Sequence, residues 1–136
     1  MIHHEKPSKA LHRTLWTAQI LVAACLFMGA IMKFMPIEKI AAMMPWTGEL
    51  PPLLVRLLGV ADLAGALGLV LSPFLRIKRD LTPWAAIGVI ALMLSAIVFH
   101  VLRGEASVIG FNIFLLLVCV FIAWGRFKKA AASGSN

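Results

Sequence analysis

The sequence predicts an all-α integral membrane protein, built as a bundle of four transmembrane helices. Two observations lead to this fold class: the composition, and four long apolar runs separated by short polar connections. Of the 136 residues, 61% are hydrophobic and 14% are charged, and the mean hydropathy is +0.92. Soluble domains average about 45–50% apolar and about 25% charged residues, so a water-soluble globule and a disordered chain are both excluded. The runs are continuous, whereas a membrane β-barrel requires short alternating segments.

Each apolar run is long enough for one membrane-spanning helix, which needs about 20 residues. Pro36 and Pro73 follow the first and second runs, where the missing N–H stops the helix. Thr82 and Pro83 supply the N-cap and first-turn residues of the third. The predicted helices span about residues 15–34, 53–71, 83–102 and 106–124. They form one membrane domain, residues 15–125, between polar tails at residues 1–14 and 126–136.

The connection between the first and second helices is the longest, and it contains an amphipathic segment. Ile37, Ile40 and Met44 lie on one side of a helix, and Glu38 and Lys39 lie on the other. This pattern is typical of a short helix at the membrane surface. We therefore expect a short interfacial helix in this first extracytoplasmic loop, with the nearby tryptophan at the level of the lipid headgroups.

The distribution of basic residues predicts the orientation. Nine basic residues lie in the two tails and the second loop: Lys6, Lys9, Arg13, Arg76, Lys78, Arg79, Arg126, Lys128 and Lys129. Four lie on the other side: Lys33, Lys39, Arg56 and Arg103. Because cytoplasmic loops are enriched in Lys and Arg, we expect a bacterial-type cytoplasmic (inner) membrane protein with both termini in the cytoplasm. The net charge of +7 reflects these basic residues on the cytoplasmic side of the membrane, so no nucleic-acid partner is expected.

Several polar residues fall within the outer half of the predicted bundle. Ionisable groups at this depth are costly unless they face the protein interior and find partners. Asp62 is either a structural hydrogen-bonding residue or a ligand contact and proton acceptor. Arg56 either extends to the headgroups or pairs with Asp62 or Glu105. The candidates for one outward-facing, ligand-binding polar pocket are Lys33, Arg56, Asp62, His100, Glu105 and Asn112.

For three of these candidates the simplest role is structural. Lys33 is an interfacial anchor, His100 is a satisfied histidine at a helix end, and Asn112 makes an interhelical hydrogen bond. Gln19, near the cytoplasmic end, is expected to be unrelated to the pocket.

Small residues in the second and third helices indicate close helix packing. Gly59, Gly65 and Gly68 recur along the second helix with alanines between them, and such spacings let two backbones approach. Tight packing within the bundle is the preferred interpretation, and homo-oligomerisation through the same faces is the alternative. Cys25 and Cys119 lie in apolar runs and are expected to be free thiols.

The sequence contains no nucleophile–base set, no CxxC motif and one membrane histidine, which argues against a metal site, a bis-histidine haem and a catalytic centre. No catalytic residue, metal ligand or definite cofactor is therefore predicted, although a quinone is compatible with the pocket.

The pattern of motifs resembles the DoxX-like family of small four-helix membrane proteins, from about Trp16 to Arg126. The resemblance rests on Gly29-x3-Lys33, Pro45-Trp46, Arg56-x2-Gly59-x2-Asp62-x2-Gly65-x2-Gly68, Leu81-Thr82-Pro83, His100-x3-Gly104-Glu105 and Asn112. Asp62 stands where many members are expected to carry Glu, which shortens the reach of the carboxylate. The resemblance implies the fold and the outer polar cluster. Some members resemble subunits of quinone-linked sulfur oxidation or of membrane oxidoreductase complexes, and eukaryotic relatives include the NACHO-type receptor-assembly chaperone.

These observations favour a multi-pass membrane protein that binds a small amphipathic molecule, a quinone or a lipid, in the outer polar pocket, or that serves as an accessory subunit. A component of a quinone-linked oxidoreductase and an assembly chaperone are the alternatives. A stand-alone enzyme is not expected. The expected partners are membrane lipids, with a membrane-protein partner or a second copy of the chain as further options.

Overall fold

The computed structural model describes residues 9–71 and 81–133, with side chains to residue 129. These residues form five α-helices and no strand, which confirms the all-α prediction. Two short 3₁₀ helices, Pro45–Glu49 and Ala106–Val108, lie in the connections. The α-helices are α1 Lys9–Lys33, α2 Ile37–Met43, α3 Pro52–Leu71, α4 Thr82–Leu102 and α5 Gly110–Ser133.

Four of these helices, α1, α3, α4 and α5, are long and apolar enough to cross a membrane. The protein is therefore a multi-pass membrane protein. The remaining helix, α2, is the short amphipathic helix expected in the first long connection.

The first and last membrane helices differ in length from the sequence prediction. The first begins at Lys9 instead of residue 15, and the hydroxyl of Thr14 donates to the carbonyl of Ala10 within this added stretch. The last begins at Gly110 because the preceding residues form a 3₁₀ turn, and it continues to Ser133. Lysine and alanine are strong helix formers. Both helices therefore continue into the segments that the sequence prediction assigned to the polar tails.

The four long helices pack as a ring in the order α1, α3, α4, α5, with neighbours antiparallel. Apolar side chains from all four fill the centre, including Val22, Leu26, Leu69, Val89, Leu115 and Ile122.

The bundle has a distal end and a proximal end. The distal end is where α1 and α4 end and where α3 and α5 begin. The proximal end is where α1 and α4 begin and where α3 and α5 end.

Glycines in α3 allow close contact with its two neighbours. A Cβ atom at Gly68 would lie 2.8 Å from Cβ of Ala85, and one at Gly65 would lie 2.9 Å from Cγ2 of Val89, both in α4. A Cβ atom at Gly59 would lie 3.0 Å from Cβ of Lys33 in α1. Real Cβ atoms essentially never approach closer than 3.0 Å, so α3 sits nearer to α4 than a larger residue at Gly65 or Gly68 would permit. The contact of Gly59 with α1 is also tighter than most Cβ contacts.

Candidate functional site

Five of the six predicted pocket residues fall into two clusters at the distal end, and Trp46, Glu49 and Arg103 join one of these clusters. The α1–α3 cluster consists of Lys33, Arg56 and Asp62. The loop cluster consists of Trp46, Glu49, His100, Arg103 and Glu105. Within residues 9–71 and 81–133, no hydrogen bond or ion pair links one cluster to the other. The structure therefore brings the candidates together in two groups, not in one hydrogen-bonded set.

An ion pair between α1 and α3 forms the centre of the first cluster. Nζ of Lys33 lies 2.5 Å from Oδ2 of Asp62, and their side chains are only 14% and 7% exposed. A Cβ atom at Gly29 would lie 3.2 Å from Oδ2 of Asp62 and 3.4 Å from Nζ of Lys33, so the glycine leaves room for the pair. Lys33 is thus the counter-ion of Asp62, and not the simple interfacial anchor that the sequence suggested.

Arg56 caps the end of α1 instead of pairing with an acid. Its Nη1 donates to the carbonyl oxygens of Lys33, at 2.5 Å, and Met35, at 2.6 Å. The last carbonyls of a helix have no partner within the helix and carry partial negative charge, so a guanidinium at this place satisfies them. Neither of the acidic partners considered from the sequence, Asp62 and Glu105, is bonded to Arg56 in the structure.

The loop cluster joins the two distal connections. Nδ1 of His100 lies 2.9 Å from Oε2 of Glu105, and Nε of Arg103 donates to Oε1 of Glu105 at 2.8 Å. Arg103 also pairs with Glu49 of the first connection. Between these residues Gly104 adopts a φ of 75°, a conformation that L side chains rarely adopt. This turn brings Glu105 back to the end of α4.

Two further interactions define the environment of the loop cluster. The ring of Trp46 packs edge-on against His100, with centroids 5.8 Å apart. The hydrogen bonds of Glu105 with His100 and Arg103 hold the pKa of its carboxyl group below its usual range. The carboxylate is therefore the stable form of Glu105 in this loop.

Asn112 stands apart from both clusters. It is the third residue of α5 and is half-buried. In the described part of the chain, no hydrogen bond of its side chain is found, so the expected interhelical bond is not seen. The same part of the chain contains no group of three His, Cys, Asp or Glu residues that could hold a metal ion.

A groove of about 470 Å³ lies between α3 and α4. Its α3 wall is built by Ala61, Ala64 and Gly65, and its α4 wall includes Gly88, Ala91 and Ser95. The hydroxyl of Ser95 donates to the carbonyl of Ala91 at 2.9 Å, so it is already satisfied. The groove therefore offers mainly apolar contact, which suits a hydrocarbon.

Sequence reasoning missed a polar network at the proximal end. Gln19 is fully buried; its Nε2 donates to the carbonyl of Leu69, and its Oε1 accepts from Nε of Arg126, both at 2.6 Å. A signal for this contact was present in the sequence. The helical donor for the Leu69 carbonyl would be residue 73, a proline, which has no N–H.

The comparisons with known proteins agree with the fold. The model of the DoxX-like family matches residues 17–122, from the first of the four long helices into the last. Comparisons with curated proteins and with solved structures find no match for this chain. The family match covers most of the sequence, including both clusters, Asn112 and the groove. On this evidence, the chain belongs to the DoxX-like family.

Proposed function

We propose that this protein binds a small amphipathic molecule, a quinone or a membrane lipid, and that it is not an enzyme on its own. The observation that carries this proposal is the apolar groove between α3 and α4. At about 470 Å³ it falls within the range of roughly 300–1,000 Å³ that is typical of small-molecule sites. Its partners would be membrane lipids and the bound molecule.

The shape of the groove fits an extended hydrocarbon. Its α4 wall runs from Ala85 to Ser95, which corresponds to about 15 Å along a helix that rises 1.5 Å per residue. Ala61, Ala64 and Gly88 are exposed at its edges. A chain in the surrounding membrane can therefore enter sideways, without crossing the packed interior.

The loop cluster is well placed for the polar end of such a molecule. Phe99 lies one helical turn beyond Ser95 on α4, towards the distal end, and Trp46 packs edge-on against it with centroids 5.8 Å apart. His100 and Glu105 lie beside these rings. A molecule with its tail in the groove would thus present its head near the aromatic and charged groups of the loop cluster.

We further propose the orientation that the basic residues indicate, with both termini in the cytoplasm and the distal end outside. By sequence, the four basic residues of the distal side are matched by four acids, Glu38, Glu49, Asp62 and Glu105. The positive charge of the chain therefore belongs to the proximal side, as expected for the cytoplasmic face of an inner membrane.

The test is to identify what the protein holds when it is extracted together with its surrounding membrane. The full chain is purified in polymer-bounded membrane discs, and quinones and phospholipids are quantified per protein by mass spectrometry. Ala64→Phe fills the groove. Ala24→Phe makes the same change at an exposed position of α1 outside the groove.

We expect one quinone or lipid species to be enriched over the bulk membrane, and this enrichment to be lost in Ala64→Phe but kept in Ala24→Phe. Equal lipid profiles in all three proteins would contradict the proposal. A stoichiometric protein partner with no enriched small molecule would instead favour an assembly or accessory role.

A further inference from the structure

One of the two ring nitrogens of His100 is hydrogen-bonded and the other is not. Nδ1 lies 2.9 Å from Oε2 of Glu105. Within residues 9–71 and 81–133, Nε2 of His100 makes no hydrogen bond, yet it is not completely enclosed by the protein. The side chain as a whole is only 9% exposed. Because a largely buried polar atom without a partner is costly, Nε2 marks a place where a ligand can supply the missing hydrogen bond.

Glu105 determines which nitrogen of His100 carries the proton. Its hydrogen bonds with His100 and Arg103 hold the pKa of its carboxyl group below the usual range, which keeps it a carboxylate. A carboxylate can only accept a hydrogen bond, so Nδ1 of His100 is the donor. In a neutral imidazole the other nitrogen is then an acceptor. His100 therefore presents an acceptor at Nε2, and its ligand has to supply the donor.

Two aromatic rings hold the imidazole of His100 in this orientation. The rings of Trp46 and Phe99 pack edge-on against it, with centroids 5.8 Å and 5.3 Å away. They also pack against each other at 5.8 Å. Because the imidazole is already fixed by these rings and by Glu105, little side-chain entropy is lost when a ligand binds.

His100 lies beyond the distal end of the groove, on the same side of α4. Val89 lines the groove, and at 3.6 residues per turn His100 is rotated only about 20° from it around the helix axis. Ser95 is the groove residue of α4 nearest the distal end, and His100 is about 7.5 Å further along the axis. A molecule with its tail in the groove therefore needs only a short head to reach Nε2.

We propose that Nε2 of His100 accepts a hydrogen bond from a hydroxyl group on the head of the molecule bound in the groove. The assignment rests on the proposed function, and it narrows the ligand to one with a hydrocarbon tail and a hydroxyl-bearing head. Such a hydroxyl belongs either to a hydroquinone or to a hydroxylated lipid headgroup, and the test separates these two sources. A head that carries only acceptors would leave Nε2 without its partner.

The test compares pairs of ligands that differ in their hydroxyl groups. The first pair is decylhydroquinone and its dimethyl ether. The second pair is phosphatidylglycerol and phosphatidylethanol with identical acyl chains, which carry the same charge. The detergent-solubilised full chain is titrated with each ligand without oxygen at about pH 8, which favours the neutral imidazole. Bound ligand is quantified by native mass spectrometry.

Three variants assign any preference to its source. His100→Phe retains an aromatic ring and removes both nitrogens. Asn112→Ala is the matched control, since it removes a half-buried polar side chain of the distal end outside both clusters. Ala64→Phe fills the groove. Thermal unfolding verifies that each variant is folded, and Glu105→Gln, which no longer fixes the proton on Nδ1, replaces His100→Phe if that variant does not fold.

We expect the native chain and Asn112→Ala to bind the hydroxyl member of one pair about fivefold more tightly than its counterpart, as for one hydrogen bond. His100→Phe should lose this preference, and the pair that shows it identifies the source of the hydroxyl. Equal binding within both pairs, or a preference that His100→Phe retains, would overturn the assignment. If that binding is still lost in Ala64→Phe, the proposed function stands without it. Failure of all four ligands to bind would contradict the groove itself.

Discussion

Lys33, the last residue of α1, forms an ion pair with Asp62, which lies about halfway along α3, and the two charged atoms are 2.5 Å apart. Both side chains are largely buried in the distal half of the bundle. In such surroundings an ion pair contributes little net stability, because both charges lose their hydration. Removing one partner is far more costly, since it leaves an uncompensated buried charge. The main effect of the pair is therefore to fix the position of α1 relative to α3, and its net contribution to stability is small.

The first prediction concerns the coupling between these two residues. Lys33→Met and Asp62→Asn should each destabilise the protein by about 3–5 kcal/mol, because each leaves one buried charge without its partner. The double variant contains neither charge and should recover most of this loss. Unfolding in mixed detergent, measured for the four proteins of the cycle, tests the coupling. Additive losses in the double variant would show that the two residues act independently.

The second prediction compares two helical glycines. A Cβ atom at Gly68 would lie 2.8 Å from Cβ of Ala85, whereas one at Gly88 would meet nothing within 4 Å. Gly68→Ala should therefore destabilise the bundle by about 1–3 kcal/mol through overpacking. Gly88→Ala should be neutral or stabilising by up to about 1 kcal/mol, because alanine favours the helix. Thermal unfolding of the two variants provides the measurement. A destabilised Gly88→Ala together with a native-like Gly68→Ala would be inconsistent with the packing of α3 on α4.

The third prediction concerns the pH dependence of the distal loops. The folded state holds the pKa of Glu105 below its usual range, so its carboxylate contributes stability above the ordinary glutamate pKa of about 4.3. That contribution should be lost as the pH falls through the lower folded-state pKa. Trp46 packs against His100, so its fluorescence should change in this transition. The Trp46 signal is obtained by subtracting the fluorescence of Trp46→Phe from that of the native protein at each pH. Glu105→Gln should lack this acid transition, and an unchanged transition in that variant would refute the assignment.

The fourth prediction concerns orientation. Ser107 is exposed in the distal connection between α4 and α5, and Ser133 ends α5 at the proximal end. In intact cells, a membrane-impermeant thiol reagent should label Ser107→Cys and should not label Ser133→Cys until the membrane is opened. The native chain is the background control, because Cys25 and Cys119 lie within the membrane helices. Labelling of Ser133→Cys alone would reverse the orientation and place the distal clusters in the cytoplasm.

The helices could be predicted from the sequence because hydropathy and proline position are local properties. Four long apolar runs can avoid contact with water by spanning a membrane, and Pro36 ends the first of them. The amphipathic pattern of the next segment led to α2, Ile37–Met43, for the same reason. The ends of α1 and α5 differ from the predicted ones, because Lys9 and the residues after Arg126 include polar residues that also favour helix.

Contacts between helices were harder to predict, because they depend on the rotation and the relative height of two helices. Lys33 and Asp62 were both candidates, but their pairing requires the close approach that Gly29 and Gly59 allow. Similarly, Gln19 was set aside although Pro73 leaves the Leu69 carbonyl without its helical donor. The groove was not predicted, because its small residues indicated only close helix packing. In the structure, α3 and α4 leave an open groove at Ala64 and Gly88.

The most direct test of the proposed function is to locate a bound molecule on the protein. The full chain in membrane discs is exposed to a quinone that carries a photoactivatable group in its tail, and in parallel to a phospholipid labelled in its acyl chain. Cross-linked peptides are then mapped by mass spectrometry. We predict saturable labelling of residues 61–65 of α3 and 88–95 of α4 by one of the two probes, competed by the unlabelled molecule and lost in Ala64→Phe. Labelling spread evenly over α1 and α5, insensitive to competitor and to Ala64→Phe, would contradict a binding site in the groove.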